Sequence, residues 1–262
     1  MLIRLGHVKN GYNEITNMKT KSQNMLMDIG VQKLLKGQKV DFFDIEKETA
    51  LLLLDGNIIF KWNTQVVSAM RNSLFDENPS VLHVPKNTEV TLEASVDSEV
   101  LVQKTTNPKE FDAIYYSQDD CVCEFLGDSV WNDAARRLIR TVFDYKNAPY
   151  SNMVLGELIN YPGRWSSYIP HGHAQPEVYY YRFDRKSGFG AGFIEDKVFK
   201  IEHNSALCIP GGPTHPQVAA PGYAMYYTWM IRHLENDPWV GRTNDEKHTW
   251  LLENNVKIWP EN

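Results

Sequence analysis

From residue 41 onward the chain alternates short apolar runs with turn residues, and the runs have the length and composition of strands. Residues 48–60 read ETALLLLDGNIIF: an apolar run, Asp55-Gly56, and a second apolar run. An Asp-Gly pair between two such runs predicts a hairpin. Residues 80–104 add SVLHV, then EVTLEASV after a turn at Pro85-Lys86-Asn87, then EVLVQK after Asp97. The pattern resumes at residues 152–159 (NMVLGELI) and continues to Met230. Only residues 132–141 (NDAARRLIRT) read as helical. From Glu235 the chain is polar with scattered Trp239, Trp250 and Trp259, the pattern of a tail laid on the body. Many short strands separated by Gly and Pro turns predict an all-β fold of the sandwich or jelly-roll type.

The strand pattern repeats weakly. With Glu48 set against Glu177, Asp55 falls on Asp184; with Val84-Pro85 set against Ile209-Pro210, Val90 falls on His215. Two related β units are expected, residues 1–125 and residues 126–262. The first is the degenerate copy, because Phe42 and Asp44 take the places of His171 and His173.

The chemistry concentrates in residues 161–183, YPGRWSSYIPHGHAQPEVYYYRF. His171 and His173 are two apart, which on an extended strand places them on one face, and Glu177 follows four residues later. The run 178–183 is β-branched and aromatic, the composition of a strand. Two imidazoles and a carboxylate together suit a divalent metal, Zn, Mn, Fe or Ni. A fourth ligand, His215, is delivered by the turn Pro210-Gly211-Gly212-Pro213-Thr214. Tyr179 and Tyr181 share parity with Glu177; Tyr227 and Trp229 stand on a later strand with the same choice between pocket wall and core. Arg164, Arg182 and Arg232 are the arginines available to meet an anionic ligand. Arg182 has outward parity, and Arg164 just precedes the metal strand.

Composition narrows the class. The chain has 262 residues, 42% hydrophobic and 23% charged, with a net charge of −6. That balance, without a basic cluster, argues against a nucleic-acid surface. The N-terminus MLIRLGHVKN lacks the apolar core of a signal peptide, and no run approaches the ~18 apolar residues of a membrane span. Cys121, Cys123 and Cys208 make no disulfide framework. A cytoplasmic protein without a membrane partner is expected.

The pattern G…H-x-H-x-x-x-E…P-x-G-x-x-H resembles the two motifs of the cupin superfamily. More closely, residues 163–173 (GRWSSYIPHGH), 178–183 and 215–227 (HPQVAAPGYAMYY) resemble the 5-deoxy-glucuronate isomerases of myo-inositol catabolism, and the likeness extends to Arg140-Thr141-Val142 and the Trp-containing tail. Those enzymes are bicupins, related to the 4-deoxy-uronate isomerases of pectin breakdown. The resemblance implies two tandem cupin domains and a metal held at His171, His173, Glu177 and His215. It implies an aldose–ketose isomerase that converts 5-deoxy-glucuronate to 5-dehydro-2-deoxy-gluconate and assembles as a homo-oligomer. Tyr181, Tyr227 and Arg164 are then the candidates to contact the sugar acid, Arg164 through its carboxylate. This chain departs from the family between His173 and Glu177, where only Ala174-Gln175-Pro176 stands in place of a longer acidic insertion. A metal-dependent dioxygenase and a non-catalytic sugar-binding cupin are the alternative readings of the same ligand set.

Overall fold

The computed structural model describes residues 1–20, 22–254 and 256–260. Strands make up nearly all the regular structure of the described residues, the only helices among them being three short 3-10 helices, Gln23–Met25, Gln118–Asp120 and Glu246–Leu252. One large antiparallel sheet runs in the order Ile114–Tyr116, Val81–Val84, Lys47–Trp62, Ser98–Thr106, Asp28–Leu34, Gly11–Thr16. A second runs Leu2–Arg4, Ser205–Ile209, Glu177–Phe183, Met225–Arg232, Met153–Asn160, Arg137–Phe143, Val122–Leu126. Each is faced by a smaller sheet. In the first unit that sheet joins Lys39–Phe42, Val90–Ala94, the C-terminal half of Lys47–Trp62, and Gln65–Arg71. In the second it is Trp165–Ser166, Gln217–Ala219, Phe189–Ile194, Lys197–Glu202.

Three apolar cores follow. Leu51, Leu53, Phe60, Leu92 and Val102 fill the first unit, and Tyr179, Tyr181, Phe183, Leu207 and Tyr227 fill the second. The third lies between the two large sheets and joins Ala50, Leu52, Leu54 and Met27 to Met153, Leu155, Val178, Tyr180 and Tyr226. This explains the unbroken LLLL of residues 51–54. Successive side chains point to opposite faces of the strand, and here both faces are buried.

The two units are also pinned by charge. Arg71 reaches across to Glu157 with Nη1–Oε1 at 2.6 Å and Nη2–Oε2 at 2.8 Å, both side chains fully buried. Tyr226 donates its hydroxyl to the same carboxylate at 2.6 Å. Arg182, outward from the pocket by parity, is not in solvent but pairs with Glu99 of the first unit at 2.5 Å.

Three sequence expectations change. Residues 48–60 are not a hairpin but one strand, Lys47–Trp62. It shifts register between Leu53 and Asp55 and bends at Gly56 (φ +104), passing from the large sheet into the small one. An Asp-Gly bulge at a sheet corner leaves the same local signature as a two-residue turn. Residues 132–141 are not a helix: Trp131, Asn132 and Asp133 all have positive φ, and Arg137–Phe143 is a strand. The repeat is visible in the shared strand order, but its register slips by one. Thr49 pairs with Val84 as Glu177 pairs with Ile209, so Thr49 occupies the inward place of Glu177. Glu48 faces the other way, into the contact between the units. There it meets His83 Nε2 at 2.9 Å, Ser151 Oγ at 2.9 Å and the Asn152 amide at 2.7 Å. A slip of one residue moves a whole strand's side chains to the opposite face.

The cut between residues 125 and 126 lies inside Val122–Leu126, which pairs along its length with Arg137–Phe143 in the second sheet. Leu2–Arg4 likewise pairs with Ser205–Ile209, so the second unit takes strands from both sides of the first. Among the described residues no helix is long and apolar enough to cross a membrane.

Candidate metal centre

The site is built where the small sheet of the second unit meets its large one. His171–Gly172 is a two-residue strand paired with Thr243–Asn244 from the tail. The chain then turns through residues 173–176 and enters the large sheet at Glu177. His171 therefore stands on a short strand of its own, His173 and His215 on loops and Glu177 on the large sheet, not on one face of a single strand. The loop before His215 is locked to this turn: the Gly212 amide donates to the His173 carbonyl at 2.7 Å. A β-carbon on Gly211 would overlap the Ala174 carbonyl, and one on Gly172 would overlap that of Gly212. Two backbones thus pass in direct contact, which glycine alone permits.

The ligand atoms of His173, Glu177 and His215 all lie within 4.8 Å of one another. His173 Nε2 is 3.3 Å from Glu177 Oε2, and His215 Nε2 is 3.2 Å from the same oxygen. His171 stands beside this trio, its ring centroid 5.1 Å from that of His215. Each imidazole spends Nδ1 on a backbone carbonyl: His171 on Ile169 at 2.8 Å, His173 on Gln175 at 2.9 Å, His215 on Pro213 at 3.0 Å. With Nδ1–H donating, the lone pair is on Nε2, the arrangement that fixes a metal-ligating histidine. His215 Nε2 is buried and makes no hydrogen bond, since its contact with Glu177 is poorly aligned. A buried nitrogen without a partner, beside a buried carboxylate and two further imidazoles, fits a divalent cation.

The electrostatics agree. Burial alone would raise the Glu177 carboxyl, but the adjoining imidazoles of His173 and His215 outweigh it and bring it down to about 2. Burial, then the charges of Arg242 and His215, pushes His171 down to about 3. His215 is lowered by burial but raised on balance by Glu177. At neutral pH Glu177 is an anion and His171 is neutral, the forms that bind metal.

His171, His173 and Glu177 open into a cavity of about 230 Å³, with His215 buried behind them. Tyr179 and Tyr227 line it. The Tyr227 hydroxyl is 2.7 Å from Ser166 Oγ, and that of Tyr179 is 3.4 Å from Ser167 Oγ. Burial raises both phenols, so they stay neutral and can exchange hydrogen bonds with a ligand. Tyr181 lies deeper, donates to Gln217 Oε1 at 2.7 Å, and does not line the cavity. Arg164 is also outside the lining; its backbone carbonyl accepts from the Ala219 amide at 3.1 Å. Arg232 is held elsewhere, its Nε on Thr105 Oγ1 at 2.7 Å.

The lining includes side chains that sequence reasoning passed over: Glu124, Asp144, Lys146, Trp239 and Arg242. Trp239 and Arg242 come from the polar tail, which crosses the site. Gln175 donates to the Asp237 carbonyl at 2.8 Å, and the Asp245 amide donates to the Pro170 carbonyl at 2.8 Å. The scattered tryptophans signalled a tail packed on the body. Nothing local distinguished Arg242 from an ordinary exposed arginine.

The KduI/IolB family profile matches residues 1–251. A 5-deoxy-glucuronate isomerase of Geobacillus thermodenitrificans is 25% identical over 253 residues, covering 86% of each chain. An IolB-like protein of Salmonella typhimurium superposes with a TM-score of 0.85 at 19% identity, covering 96% of this chain and 99% of that one. A mutant of Bacillus subtilis oxalate decarboxylase superposes with a TM-score of 0.65 at 10% identity, covering 93% of this chain and 79% of that one. The fold is that of the cupins, all-β with two tandem units, as the sequence predicted.

Proposed function

The chain belongs to the KduI/IolB family, and on that premise we propose that it is a metal-dependent aldose–ketose isomerase acting on a deoxy-uronate, with 5-deoxy-glucuronate as substrate and 5-dehydro-2-deoxy-gluconate as product. The names of its relatives support the reaction class. The observation that supports the metal dependence is the set of imidazoles pinned at Nδ1 and gathered around Glu177, with the ligand atoms of His173, Glu177 and His215 within 4.8 Å of one another.

His171, His173, Glu177 and His215 would hold a divalent cation of the Zn, Mn, Fe or Ni class, which when bound supplies Lewis acidity toward a carbonyl and its neighbouring hydroxyl. The rest is the work of side chains. Converting an aldose to a ketose moves a proton from C2 to C1 and another from O2 to O1. Tyr179 and Tyr227, neutral and fixed by Ser167 and Ser166, orient the sugar hydroxyls. Beyond Glu177, the carboxylates lining the cavity are Glu124 and Asp144, and these are our candidates to carry the carbon-bound proton. Leu158, Ile231, Trp229 and Trp239 supply apolar wall that keeps water from the reacting carbons. At about 230 Å³ the space is smaller than the roughly 300–1,000 Å³ of drug-sized sites and matches a single open-chain sugar.

The test is turnover by metal-loaded protein of a panel of 5-deoxy- and 4-deoxy-uronates, aldoses and ketoses, with elemental analysis of the same sample. Isomerisation of 5-deoxy-glucuronate is expected. His215→Ala is expected to lose both metal and turnover while its circular dichroism is unchanged. Full metal occupancy in His215→Ala removes the ligand assignment, and a panel in which nothing is isomerised removes the reaction class.

A further inference from the structure

The tail that closes the cavity brings a cation to it. Arg242 immediately precedes Thr243, which is paired with Gly172 between His171 and His173. Continuing that antiparallel register by one residue sets Arg242 opposite His173. Its side chain lines the cavity, and its charge reaches both His171 and His215. Lys146 lines the same space. Among the described residues neither cation makes a salt bridge, whereas Arg71, Arg140 and Arg182 are each committed to a carboxylate.

A guanidinium held at a metal-ligand strand, lining a cavity and left without an anion, has a definite use. An open-chain uronate bound through its carbonyl end at the His173, Glu177 and His215 cluster carries its carboxylate at the far end, with four carbons between. We propose that Arg242 is the specificity-determining residue that receives this carboxylate in a forked, charge-assisted pair, so that the tail selects sugar acids over neutral sugars. The inference rests on the isomerase reading above. The forked geometry of arginine matches a carboxylate in a way a lysine point charge does not. Arg242 is exposed, so a neutral sugar leaves its guanidinium in water, and the selection comes from the ion pair that only a carboxylate gains.

The experiment compares wild type, Arg242→Gln and Arg242→Lys, each loaded with metal and each checked for metal content. Rates are measured on 5-deoxy-glucuronate and on the neutral analogue in which a hydroxymethyl group replaces the carboxylate. Equilibrium binding of a non-reacting aldonic acid is measured alongside. The expected result for Arg242→Gln is a rise in KM for the uronate of about 10- to 100-fold, the effect of losing a charge-assisted pair. The aldonic acid should weaken by a similar factor, while kcat, metal content and KM for the neutral analogue change less than about threefold. Arg242→Lys should fall between. If wild type turns over the uronate and Arg242→Gln does so with the same KM, the assignment is overturned and the isomerase reading stands. If kcat falls instead and both substrates suffer equally, Arg242 acts on the metal strand and not on the carboxylate, which also overturns it. If wild type isomerises no uronate, the underlying reading fails.

Discussion

Replacing Arg71 by methionine tests how the two units are joined. The guanidinium makes two charge-assisted bonds to Glu157, at 2.6 and 2.8 Å, and donates to the Leu53 and Glu77 carbonyls at 3.1 and 2.8 Å. Both charged side chains are fully buried. Removing one partner of a buried pair typically costs about 3–5 kcal/mol, because the other charge stays behind in a poor solvent. Here Glu157 keeps the Tyr226 hydroxyl at 2.6 Å and the Arg140 guanidinium at 3.5 Å, which places the expected loss near the lower end, about 3 kcal/mol. With a urea m-value of about 3 kcal/mol/M for a chain of this size, the midpoint should fall by about 1 M. Arg71→Met/Glu157→Met should recover most of that loss, since both charges leave together and methionine fills the space. Equilibrium urea denaturation followed by tryptophan fluorescence and circular dichroism reads both numbers. A single-mutant loss below about 1 kcal/mol, or a double mutant worse than the sum of the singles, would refute the view that this pair is compensated charge between packed sheets.

Gly211→Ala forces a β-carbon into the Ala174 carbonyl and should displace the loop that delivers His215; metal titration is expected to show affinity reduced about 10- to 100-fold with the fold retained, and unchanged affinity would show that the loop tolerates the shift. Stability should decline with acidity between pH 6.5 and about 4. Burial and then Arg182 hold His203 down to about 4, and burial and then Arg232 do the same for His233. His233 Nδ1 also accepts the Trp239 amide at 2.9 Å, a bond that protonation would break. In that window the unfolded chain binds protons that the folded one refuses, so stability is retained above the ordinary value of 6.5 and lost as pH falls toward the folded value. Urea midpoints at several pH values check this, and His203→Gln should flatten the decline; a midpoint constant from pH 7 to 4.5 would contradict it.

The strands, their approximate limits and the four candidate ligands were legible in the sequence, because each rests on local chemistry. β-branched and aromatic runs between turn residues leave little choice but strand, and His171, His173, Glu177 and His215 carry their donor atoms wherever the chain goes. Register and long-range contact were not legible. A run apolar on every position does not say which residues face which core, so Glu48 and Thr49 exchanged roles by a single step. Asp55-Gly56 reads alike as hairpin and as bulge, and only the partners of each half of Lys47–Trp62 separate them. Tyr179 and Tyr181 share one parity, yet only the first reaches the cavity, because depth along a strand is set by where the opposing sheet closes. The cation of the site shows this most plainly. Arg164 is near the ligands in sequence and outside the cavity, whereas Arg242 is about 70 residues from His171 and lines it. That placement follows from Thr243–Asn244 pairing with the ligand strand, a backbone contact between distant segments that only the tertiary fold creates.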